Sequence, residues 1–258
     1  MIEVFRVPVS KKALQAVPAD ERNLLLLASH AINQISVLRK ILIFSTNYES
    51  ASELENTLSA GQSQTILRML FGALAEAWEM VRRPINQKLI GKDYADEIEA
   101  EGLKAYEKLK THFGNSNLLH KLRNTIAYHH PNAHELEAAF NDLAEDEDWA
   151  WYPSDTINNS FYLASDMVIS AGVRRATGEA DYAKAFGKVM AEVVSVSNEM
   201  ADFFLFLMRA IVARHLGPTL LSPARGTGTQ IADAPNLYKI AIPFFTVRDD
   251  HPQMETDR

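Results

Sequence analysis

Between residues 180 and 216 apolar side chains return every seven positions. Phe186, Val193, Met200 and Leu207 form one series, and Val189, Val196, Phe203 and Ala210 form a second, three residues further on. A seam of this period over four heptads demands a long helix with one face against another helix. A helix of that length needs helical company, so the spacing points to a bundle. Two settings satisfy it: an antiparallel neighbour within the chain, or a second copy across a dimer interface. Charged flanking pairs of the kind that coiled coils use are few, which favours the first.

Other segments repeat the pattern. Pro18 followed by Asp20 and Glu21 reads as a helix start, because proline suits the first turn and acids suit the positive end of the helix dipole. Leu24, Leu27, Ala28, Ala31, Ile35, Leu38 and Leu42 then draw an apolar stripe over a helix of roughly 20–25 residues. Leu67, Leu70, Leu74, Trp78, Val81 and Ile85 draw a second, which Pro84 bends or ends. A third helix is predicted over 93–113, with Ile98, Tyr106, Leu109 and Phe113 inward and Gly114 as its stop. A fourth runs from Asn117 to His129, where Pro131 closes it, and a short acidic helix follows over 132–145. Two more are predicted near 163–176 and 180–216.

The non-helical signals are local. Trp149, Trp151 and Tyr152, then Asn158 and Asn159, then Phe161 and Tyr162, suggest a small hairpin. After Gly217 and Pro218 the composition turns to Ser, Pro, Gly and Thr, with a strand-like patch at Tyr238–Phe245. The expected fold is therefore all-α: a bundle of about six to seven helices with a small β-hairpin and an extended C-terminal arm. Residues 1–216 form the helical domain, with the hairpin inserted near 147–163, and 217–258 the arm.

Composition narrows the chemistry. The 258 residues include no cysteine, which removes disulfides, thiolate zinc sites and cysteine nucleophiles, and fits a cytoplasmic setting. No secretory signal opens the chain, and the greasiest run, Phe203–Met208, is too short and too closely flanked by Asp202 and Arg209 to cross a membrane. A net charge of −7 argues against broad phosphate binding, so any nucleic acid would be met at a local basic site.

One such site stands out. His112, His120, His129, His130 and His134, five of the eight histidines, share a 23-residue window with Lys121 and Arg123, and Lys110 lies two residues before it. On a helix Arg123 falls nearly in line with His120 and His130, beside a buried stripe of Leu122 and Ile126. Taken alone, this is as well explained by a surface helix with polar ends. The segment Leu122-Arg123-Asn124-Thr125-Ile126-Ala127-Tyr128-His129-His130, however, resembles the signature of the HEPN superfamily: arginine, a polar residue, and histidine after four to six intervening positions. The resemblance covers about a dozen residues, and an all-helical surround is consistent with it.

That resemblance implies a metal-independent endoribonuclease site formed where two such domains meet, with no cofactor. Attack by the RNA 2′-hydroxyl needs a base, an acid for the departing 5′-oxygen and positive charge on the phosphate. In this reading Arg123 stabilises the phosphate charge, His129 is acid or base, Asn124 orients it, and His130 is its substitute. Arg123 and His130 stand about 10 Å apart along the helix axis, so one copy serves one phosphate poorly and a two-fold partner supplies the complement. Lys121, Arg82 and Arg83 would extend the RNA track. The family also includes non-catalytic interaction modules, which is the alternative function. A metal site from His129, His130, His134 and Glu135 competes weakly, because Pro131 divides the set. Trp149, Trp151 and Tyr152 suit base stacking in principle and hairpin packing more simply.

Overall fold

The computed structural model describes residues 2–114, 118, 132–147, 149–218, 220 and 227–246. Among these, the strand β1 (Ile2–Arg6) leads to α1 (Lys11–Ala16), α2 (Ala19–Thr46), α3 (Glu53–Arg82) and α4 (Pro84–Lys88). A single π-helical turn, Leu89–Asp93, precedes α5 (Ala100–Gly114). Then come α6 (Ala133–Asn141), α7 (Leu163–Thr177), α8 (Tyr182–Leu216) and the strand β2 (Thr227–Ile231). The architecture is an all-α bundle with a two-stranded sheet, and no helix among the described residues is long and apolar enough to cross a membrane.

The heptad seam of α8 is spent inside the chain. Val189, Val193, Val196, Met200, Phe203, Leu207 and Ala210 are all buried, and Phe186 is half-buried. They meet α5 and α2: Phe203 stacks on Tyr106 at 4.9 Å between ring centres. Glu97, Lys108 and His112 lie against Arg214, Glu199 and Glu192 in turn, so α5 and α8 run antiparallel. They approach tightly at Gly102, where a Cβ would sit 2.4 Å from Cβ of Phe206. Only a residue without a side chain fits there.

Helix starts follow local chemistry. Ser52 accepts from the Glu55 amide at the head of α3, and Asp181 accepts from the Lys184 amide at the head of α8. Asn132 and Glu135 form a reciprocal capping box on α6. Gly178, in the left-handed region at φ 69°, ends α7. Pro84 ends α3 as predicted and occupies the first turn of α4.

Three expectations are corrected. Leu27 is 39 % exposed, and Leu25 takes the inward place. Residues 94–99 are not helical: the π-helical turn and the turn after it carry Tyr94 and Ile98 into the core before α5 begins at Ala100. The patch at 238–245 begins in a 3-10 turn, Leu237–Lys239, and continues along the end of α2, where the Ile242 amide donates to the Phe44 carbonyl at 3.0 Å. The strand of the arm is β2, antiparallel to β1 with Ile2 opposite Ile231, and every residue of both strands is exposed. Near 147–163 the chain closes as an antiparallel bridge between Tyr152 and Phe161 around a 3-10 turn, Ile157–Asn159.

Candidate functional site

Lys121, Arg123, Asn124, His129 and His130 lie outside the described residues. The frame on either side is described. Before the segment, Phe113 stacks on Trp78 of α3 at 5.0 Å between ring centres, and Leu118 packs against the main core. After it, the Asn132 capping box fixes where α6 begins. Arg82 lies one helical turn beyond Trp78, on the same face of α3, and is paired with Glu79 at 3.1 Å. Arg83, exposed, is the junction of α3 and α4. Both arginines therefore sit at the end of α3 beside which the chain enters the histidine-rich segment.

His112 is half-buried on α5, 3.4 Å from Glu192, and burial lowers its pKa. His134 is exposed, and Glu135 is committed to the Asn132 amide. No cluster of three metal-ligating side chains occurs among the described residues. Trp149 packs on Phe140 of α6 at 5.2 Å, whereas Trp151, which meets Tyr162 at 5.9 Å, is 66 % exposed.

Two polar constellations escaped the sequence reading. At one end of the bundle the Glu21 carboxylate takes a hydrogen bond from Tyr94, meets His215 Nε2 at 2.6 Å, and lies 3.7 Å from Arg214. Burial by itself raises the Glu21 pKa, but the hydrogen bonds from Tyr94 and His215 and the nearby positive charges outweigh it and hold the carboxyl below its ordinary value. Burial and the Glu21 bond push the Tyr94 hydroxyl well up. Glu21 is in the first turn of α2 and His215 in the last turn of α8, so each also faces the dipole end that suits it. With Tyr94 fully buried and the carboxylate engaged on every side, this group reads as a clasp between helices.

The second constellation lines a cavity of about 290 Å³ between α3, α7 and the start of α8. Two cross-links form its wall: Ser170 donates to Gln64 at 2.8 Å, and Arg68 pairs with Asp166 at 3.1 Å. Burial raises Asp166, and Arg68 offsets only part of that. Tyr182 Oη is sealed from solvent beside Ser170, whose hydroxyl donates to Gln64. Burial pushes the Tyr182 hydroxyl up to about 12, so it remains a neutral donor. Asp166, Ser170 and Arg174 recur every four residues on α7, and that spacing is the signal by which sequence could have found them.

No protein-family model, no curated protein and no solved structure matches the chain.

Proposed function

We propose that this chain is an HEPN-like, metal-independent endoribonuclease acting at a composite site in a homodimer. The observation that carries the reading is the run Arg123-Asn124 followed by His129, with His130 in reserve. It supplies the fork of donors and the near-neutral acid or base that internal attack by a 2′-hydroxyl requires. In its support, Arg82 and Arg83 stand at the end of α3, whose Trp78 stacks on Phe113 shortly before that run in the sequence. The net charge of −7 favours the second reading, an HEPN-like interaction protein without catalysis.

The deciding experiment incubates purified protein with a mixed RNA pool in EDTA, alongside Arg123→Ala and His129→Ala. Cleavage that leaves 2′,3′-cyclic phosphate ends and vanishes in both variants supports the ribonuclease. RNA left intact by a folded dimer supports the interaction protein, and cleavage undiminished in both variants refutes the assigned site.

A further inference from the structure

We infer that the cavity between α3, α7 and α8 is a binding site for a small zwitterion with an apolar body, of the class of the free apolar amino acids.

One water occupies about 30 Å³ of liquid, so a cavity of about 290 Å³ takes on the order of ten non-hydrogen atoms. It lies at the small end of ligand sites and fits an amino acid better than a nucleotide. The apolar part of the wall, including Leu143, Leu163 and Met167, suits a hydrocarbon side chain.

Charge then selects the head group. Of the three charged residues that line the cavity, Asp166 is neutralised by Arg68 beside it. Arg174 on α7 and Glu147 after α6 also line it, yet neither forms an ion pair or a side-chain hydrogen bond among the described residues. An unpaired cation and an unpaired anion on one small cavity are complementary to a ligand bearing both signs. A simple anion would gain Arg174 and be repelled by Glu147. A simple cation would meet the converse. The carboxylate of a zwitterion matches the planar Arg174 fork, and its ammonium matches Glu147.

Isothermal titration calorimetry of the full chain with L-leucine tests the assignment. Two analogues, 4-methylpentanoate and isopentylamine, remove the ammonium and the carboxylate in turn. Saturable binding is expected, with both analogues weaker by about tenfold or more, the scale of one lost charge-assisted contact. Arg174→Gln and Glu147→Gln should each weaken leucine by a similar factor and leave the melting temperature close to the parent's, because neither residue is paired in the fold. Met167→Trp, which fills the cavity, should abolish binding. Absence of saturable heat for both L-leucine and L-phenylalanine up to about 10 mM overturns the inference. So does an analogue that binds as tightly as leucine, or a leucine affinity indifferent to both charge substitutions.

Discussion

The Arg214 guanidinium lies 3.7 Å from the centre of the Tyr94 ring, while the hydroxyl of that tyrosine donates to Glu21. Arg214 also holds Glu97 with its Nε at 3.0 Å from both carboxylate oxygens. Three segments that share no sequence neighbourhood, the head of α2, the turn before α5 and the tail of α8, thus meet over one aromatic ring.

This clasp has a pH signature. Glu21 titrates below its ordinary value in the folded chain, so its contribution is complete above that value and is lost as pH falls through the folded one. Glu21→Gln should cost about 1–3 kcal/mol at pH 7, the range for a buried hydrogen-bonded charge. Urea denaturation should show the gap from the parent narrowing below about pH 4. A gap independent of pH would mean that the carboxylate's charge contributes nothing.

Asp166 behaves in the opposite sense. Its folded pKa is raised, so the ionised form is a burden that grows as pH rises through that value, and Arg68 is what limits it. Arg68→Ala should destabilise by about 3 kcal/mol at neutral pH and recover part of the loss on mild acidification. Asp166→Asn should cost clearly less. Equal losses at all pH values in Arg68→Ala would assign its role to packing alone.

The glycines form a graded series. Alanine at Gly102 would drive its Cβ against Cβ of Phe206, which cannot swing away, and α5 and α8 would have to part. A loss of about 2–3 kcal/mol is expected. At Gly61 the obstacle is the Phe161 ring tip at 2.3 Å, which can rotate, so the loss should be smaller. Gly187 is inside α8 with nothing within 4 Å, and alanine there should stabilise by about 0.4–1 kcal/mol. Thermal melts of the three variants should rank in that order.

For the proposed ribonuclease, His129→Ala should reduce cleavage by about 10²-fold or more, the scale for removing a general acid or base, and His130→Ala should reduce it clearly less. The residue before Pro131 is pushed toward an extended backbone, which re-aims its side chain, whereas His129 precedes that restriction. Circular dichroism and light scattering should show both variants folded and dimeric. A dead His130→Ala beside an active His129→Ala would reverse the assignment.

The long helices were legible because their apolar stripes are regular and their ends carry punctuation, as at Pro18, Pro84 and Gly178. Leu24–Leu27 was harder. Four consecutive leucines sweep about 300° of a helix, so some must face out, and pattern alone does not choose between Leu25 and Leu27. The start of α5 was hidden because Ile98 keeps helical spacing with the residues after it while sitting in a turn. The cavity was half visible. Asp166, Ser170 and Arg174 advertise a polar stripe, but their partners Gln64 and Arg68 are about a hundred residues away, and only tertiary packing brings the two stripes together. The β1–β2 pairing had no local signal, since each strand has five residues and their partners lie at distant points of the chain.

That ribbon sets a timetable for biosynthesis. β1 is made first, yet the residues that pair with it are 227–231. At 5–20 residues per second, Ile2, Val4 and Phe5 would leave the ribosome roughly 10–45 s before their partners are made. For that interval a short apolar strand has both edges open to whatever nascent or neighbouring chain is close. The bundle can assemble meanwhile, since its helices need nothing from the ribbon, and closure of the ribbon then registers that synthesis has passed residue 231.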